Sequence, residues 1–102
     1  MKITEVRVNL QEEEALKAFV SITFDDEFVV RGLKVIQGEK GRFVAMPARR
    51  RGDGSFQDVA HPINREMRQY LETCVMQAYE EALEHSHFEQ DGREDLGDPV
   101  EV

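Results

Sequence analysis

Apolar side chains recur in this chain at two periods, and the switch between them is the strongest constraint on its fold. From Lys2 to Ala60 they fall mostly at alternate positions; from Pro62 to Leu83 they recur at three- and four-residue steps. Alternation sends successive side chains to opposite faces of a strand, whereas the longer step gathers them along one face of a helix. Strands therefore come first and a single helix follows. Lys2 to Leu10 alternates Thr4, Val6, Val8 and Leu10 with Glu5, Arg7 and Asn9, leaving Ile3 out of phase. The charged run Gln11 to Glu14 suits an exposed loop. Lys17 to Asp25 sets Ala18, Val20, Ile22 and Phe24 on one face, with Phe19 the sole apolar residue on the other. Asp25-Asp26-Glu27 fills a hairpin turn before the run Phe28 to Ile36. Gly38-Glu39-Lys40-Gly41 is a second turn, before a strand from Arg42 to Ala48. Pro47 lacks a ladder donor and belongs at a strand end or an edge. Arg49-Arg50-Arg51-Gly52-Asp53-Gly54 reads as a third connection, and Phe56 to Ala60 as a short last strand.

The helical stripe runs through Ile63, Met67, Tyr70, Leu71, Cys74, Ala78 and Ala82. Two residues signal its start: Pro62 as a first helical residue, or Asn64 as an N-cap. After Leu83 the pattern fades into His85-Ser86-His87 and an acidic stretch with few apolar groups, predicted to be disordered. The expected fold class is α+β: a small antiparallel sheet of about five strands, one long C-terminal helix packed on it, and an acidic tail. The 102 residues divide into one domain, 1–86, and the tail, 87–102. A helix covers one face of a sheet. Phe19, with either Phe28, Val30 and Ile36 or Val29, Leu33 and Val35, would then lie uncovered on the other. A second copy of the chain is the expected cover, making a homodimer.

One cysteine cannot form an internal disulfide, no charged and then apolar leader opens the chain, and no apolar run reaches the ~20 residues of a membrane span. The expected setting is the cytoplasm, without membrane contact. A net charge of −8 would disfavour nucleic acid, but the average conceals its distribution. Residues 1–60 hold ten basic and ten acidic groups, so the whole excess lies in residues 61–102, with three basic and eleven acidic. Between residues 34 and 51, Lys34, Lys40, Arg42, Arg49, Arg50 and Arg51 face Glu39 alone, a local charge of +5. Such asymmetry points to an electrostatic binding face.

Arg49, Arg50 and Arg51 are the leading candidates for phosphate contacts, because the nearby acids Asp53 and Asp58 are too few to pair them and guanidinium grips phosphate bidentately. The competing reading is a solvated loop that guards a sheet edge. Lys34, Lys40 and Arg42 favour binding. Arg65 and Arg68 in the first helical turns extend the surface unless Glu66 and Glu72 neutralise them. Asp25-Asp26-Glu27 has no convergent histidine, and His85 and His87 lack a ligand set with metal-site spacing. Cys74 on the apolar helix face reads as a small hydrophobe, and His61 as a structural hydrogen-bonding group. With no phosphate loop, Cys-x-x-Cys pair or nucleophile elbow, no enzyme, metal or cofactor is expected. The chain has no tryptophan and no identifiable exposed aromatic pair beside the arginines, which disfavours a stacking platform for single strands.

Three segments in order, Ser21-Ile22-Thr23-Phe24-Asp25-Asp26-Glu27-Phe28-Val29-Val30, Phe43-Val44-Ala45-Met46-Pro47 and Asp58-Val59-Ala60-His61-Pro62-Ile63-Asn64, resemble the SpoVG family of bacterial proteins. The resemblance extends from about Met1 to Glu84 and leaves the acidic tail outside. It implies a small antiparallel sheet with a C-terminal helix, a dimer, and a DNA- or RNA-binding regulator of septum formation, sporulation and gene expression. It also implies that the family's basic stretch falls on Arg49 to Arg51, and its helix-start DNA-recognition region on Asn64, Arg65, Glu66, Met67 and Arg68. Gln57 stands where many members are basic, and Arg31 where many have histidine. The alternative expectation is a protein-interaction adaptor in cell division that uses the acidic helix and tail.

Overall fold

A computed structural model describes residues 1–86; the tail expected at 87–102 lies outside the described residues. Four strands form one antiparallel sheet in chain order: β1 (Ile3–Leu10), β2 (Leu16–Phe24), β3 (Phe28–Gly38) and β4 (Gly41–Ala45). Two short strands, β5 (Ala48–Arg50) and β6 (Phe56–Asp58), pair with each other as a separate antiparallel ribbon. The helix α1 (Arg65–Ser86) follows. The architecture is the expected antiparallel sheet with one C-terminal helix. Where a single strand was expected from Arg42 to Ala48, the chain breaks at Met46-Pro47, because proline has no N–H for a ladder. Arg49 and Arg50 consequently lie within a strand, and only Arg51 opens the turn.

The expected face of β2, Ala18, Val20, Ile22 and Phe24, is buried, and with Leu33, Val35, Val44, Leu71, Val75 and Tyr79 it makes the core. Of three register shifts in the sheet, the third lying between Leu16 and Ala18, those in β1 and β3 put these strands in phase with it. In β1, Ile3 pairs with Phe24 but Glu5 with Thr23, so Thr4 is an extra residue in a bulge. This turns Ile3 to the side of Val6 and accounts for its position out of phase. In β3, Val30 pairs with Ile22 but Leu33 with Val20, so two residues, Arg31 and Gly32, face Ser21 alone. Gly32 has φ +92°, a conformation that costs a residue with a Cβ ~1–2 kcal/mol. The bulge gathers Val30, Leu33 and Val35 on the helix side. Neither set of alternating residues considered from the sequence is the buried one; the bulge takes members of both.

On the helix, Leu71, Val75 and Tyr79 form the buried row, flanked by Met67, Met76 and Leu83. Cys74, Ala78 and Ala82, expected on the stripe, are half-buried beside it, and Ile63 is 89% exposed. The two rows are adjacent, and the one with larger side chains faces the sheet because it removes more apolar area from water. Asn64 is the N-cap: its Oδ1 accepts the Met67 amide at 2.7 Å, and its carbonyl accepts the Arg68 amide at 3.2 Å. Pro62 lies ahead of the helix rather than in its first turn. The Ile3 amide, on an edge strand, donates to the Tyr70 hydroxyl at 2.9 Å and ties β1 to α1.

Removing buried methyl groups at the centre of this packing is costly. We expect Leu33→Ala to lower stability by about 2–5 kcal/mol in urea unfolding. Gly32→Ala adds a Cβ only 3.2 Å from that of Pro47 at a positive φ. It is expected to lower stability by about 1–2 kcal/mol even though it removes no contact.

Candidate nucleic-acid interface

The ribbon owes its independence to Pro47. Its carbonyl accepts the Val59 amide at 2.7 Å, which closes the base of the ribbon beyond the last pair, Ala48 with Asp58. At the tip, the Arg51 amide donates to the Ser55 carbonyl at 2.7 Å and the Gly54 amide to the Arg51 carbonyl at 3.0 Å. Gly54 has φ +93°, which the turn requires. Asp53 Oδ1 accepts both the Ser55 amide at 3.0 Å and the Ser55 hydroxyl at 2.7 Å. These bonds hold its carboxyl below the ordinary 3.8. A lowered value means that this bracing is complete above the ordinary carboxylate range and is lost as pH falls through the lowered one. The nearest acid is thus directed into its own turn and leaves the arginines unneutralised.

The three arginines are not equivalent. Paired residues share a face of an antiparallel ribbon, so Arg50 lies with Phe56, and Arg49 with Gln57 on the other side. The Arg50 guanidinium stands 5.8 Å from the Phe56 ring centroid, a cation–π contact. Phe56 remains 70% exposed. An exposed aromatic ring thus stands beside the arginines, contrary to the expectation from the sequence. Its signal was Phe56 in a segment whose cross-strand partners, Ala48 and Arg50, supply no core.

The other basic candidates are dispersed. Lys34 pairs with Phe19 and Ala45 on the sheet face away from the helix, and Lys40 lies in the β3–β4 turn. Arg42 points to the helix side, its guanidinium 5.3 Å from the centroid of the buried Tyr79 ring. Arg65 is the first residue of α1, and Arg68 pairs with Glu72 at 3.5 Å. Among the described residues, no ion pair or hydrogen bond engages the side-chain cations of Arg49, Arg51, Lys34, Lys40 or Arg65. Among the described residues, two unpaired guanidiniums, those of Arg49 and Arg51, thus flank Arg50 on a ribbon braced at its base and tip.

Asp25, Asp26 and His61 have structural partners. Asp25 and Asp26, with φ of 53° and 56°, form the β2–β3 turn. The Asp25 carboxylate accepts the Lys2 amide at 3.1 Å, and the Asp26 amide donates to Thr4 Oγ1 at 3.0 Å. His61 Nδ1 lies 2.9 Å from the Pro62 carbonyl. Burial pushes the Cys74 thiol up, away from the reactive thiolate. Among the described residues, no three metal-ligating side chains converge, and no helix is long and apolar enough to cross a membrane. A pocket of about 160 Å³ opens between the sheet, the Met46-Pro47 break and the start of α1. Phe24, Phe28, Leu33, Met67 and Leu71 line it, and His61 is its one polar residue.

The region that contains these elements has close counterparts. A protein of Clostridioides difficile (strain 630) is 62% identical over 84 residues, which cover 81% of this chain and 91% of that one. A Bdellovibrio bacteriovorus protein is 57% identical over 83 residues, covering 81% and 77%. A protein of Anaeromyxobacter sp. (strain Fw109-5) is also 57% identical over 83 residues, covering 81% and 86%. Each is named "Putative septation protein SpoVG". The SpoVG family model matches residues 1–81, which include the sheet, the ribbon and most of the helix. On that match and those identities, the chain belongs to the SpoVG family.

Proposed function

We propose that the chain is a dimeric nucleic-acid-binding regulator with a role in septation, working in the cytoplasm without a cofactor. The septation role follows the names of its relatives. The observation that carries the binding reading is the braced ribbon with Arg49 and Arg51 unpaired and Arg50 beside them. Polyanions respond to local charge, and three consecutive arginines lie at the ribbon although the chain totals −8. Dimerisation is supported by the sheet face away from the helix. There Phe19, Val29 and Phe43 are exposed, and Ile36, paired with Phe43, is half-buried. A second copy laid on that face would remove this apolar surface from water.

Two copies bring together four to six of these guanidiniums. The logarithm of affinity for duplex DNA is expected to fall with the logarithm of salt at a slope of roughly −4 to −5. Fluorescence anisotropy at several salt concentrations reads this slope. Substituting Arg49, Arg50 and Arg51 by Ala should abolish the salt-sensitive binding, and a slope near zero in the intact protein would refute the electrostatic reading. The adaptor reading predicts the reverse: no binding to DNA or RNA by a folded protein, and loss of a protein partner when residues 89–102 are deleted. If the acidic tail instead screens the ribbon, that deletion tightens nucleic-acid binding.

Light scattering at micromolar concentration should give twice the 11.8 kDa chain mass. Phe43→Glu, which puts a charge on the exposed face, should return the mass to that of one chain.

A further inference from the structure

We infer that Phe56 is a stacking platform for an unpaired base, so that the ribbon selects single-stranded nucleic acid over duplex. The inference rests on the nucleic-acid reading and narrows it to a ligand class. A phenyl ring 70% exposed at the end of a ribbon contributes little to folding, since neither its cross-strand partner Arg50 nor the nearby Ala48 buries it. Its surroundings restrict what can cover it. Arg50 stands against the ring, Arg49 and Arg51 lie within two residues of Arg50, and Asp58 is the one acid on the same ribbon face. A second copy docking ring to ring would bring three arginines against three. A polyanion brings charge of the opposite sign.

The ligand must offer both negative charge and a flat apolar surface. Nucleic acid does, but in a duplex the base faces are already stacked on one another, and freeing one costs a few kcal/mol per step. A single strand presents its bases without that cost. Its backbone is also flexible enough to contact Arg49 on one side of the ribbon, and Arg51 at its turn, while a base reaches Phe56 on the other. The pairing of Arg50 with Phe56 fixes the guanidinium beside the ring, so a base placed there meets an aromatic plane and a cation together.

The test uses the full chain and anisotropy of two labelled probes: an oligothymidylate of about twenty nucleotides, longer than the site of a typical single-strand module, and a mixed-sequence duplex of equal length. Phe56→Leu keeps an apolar side chain and removes the aromatic face. It is expected to weaken oligothymidylate binding by about tenfold or more while leaving duplex binding and the salt slope unchanged. Phe56→Tyr, which retains the ring, restores the single-strand affinity. If Phe56→Leu binds the oligothymidylate as well as the wild type does, the platform is refuted; if the Arg49, Arg50, Arg51 to Ala variant still fails to bind, the broader reading survives. Equal loss on both probes, or a change in mass by light scattering, assigns the ring to folding or to contact between copies and overturns the inference. Binding of neither probe by the wild type overturns both.

Discussion

The backbone at Gly32 reconciles the middle strand with the rest of the molecule. A regular β3 would direct either Val30 or Leu33 away from the helix, because the two are an odd number of residues apart. With one extra residue and a φ of +92°, the strand turns both inward and leaves Val29 and Ile36 on the other side. The same glycine allows Pro47 to approach to a distance at which a Cβ would already be crowded. Pro47 is also the residue at which β4 has stopped and the ribbon departs. One conformation open mainly to glycine therefore decides which β3 side chains join the core and which stay on the uncovered sheet face, and it leaves room for the proline at the root of the basic strand pair.

Much of the scaffold was legible because its elements follow simple periods. Ala18, Val20, Ile22 and Phe24 alternate without interruption, and all four are buried. Asn64 has the side chain an N-cap requires, and its oxygen makes that bond. The acids at 25–27 read as a turn, and Asp25 and Asp26 occupy the left-handed conformations it needs. Legibility failed where two physical solutions were equally periodic. Rows 71, 75, 79 and 74, 78, 82 both have helical spacing; side-chain size, which the spacing argument ignored, decides between them. Bulges are harder still, since a single inserted residue reverses the facing of everything after it.

The candidate site was half legible. The arginines stand out in the local charge, but they and the preceding hairpin do not form one surface. Lys34 and Arg42 instead lie on opposite faces of the sheet, one beside Phe19 and the other over Tyr79. A sum over a sequence window cannot register this separation, because charges eight residues apart in neighbouring strands can face opposite ways. Nor can it indicate that Arg50 has an aromatic neighbour, which depends on a pairing register set by the turn at residues 51–54.

The ribbon has strands of three residues, no core on either face and a hydrogen-bonded closure at each end. The central β2–β3 ladder, by contrast, is long and buried on its helix-facing side. Opening free energies within one protein follow such differences, so the ribbon amides belong to the fastest-exchanging part of the fold and those of β2 to the slowest. The surface that carries the arginines is thus the one whose local order is least secured by the rest of the molecule. Any ligand that grips it supplies part of that order, and part of its intrinsic affinity is offset by the entropy of holding the strand pair closed.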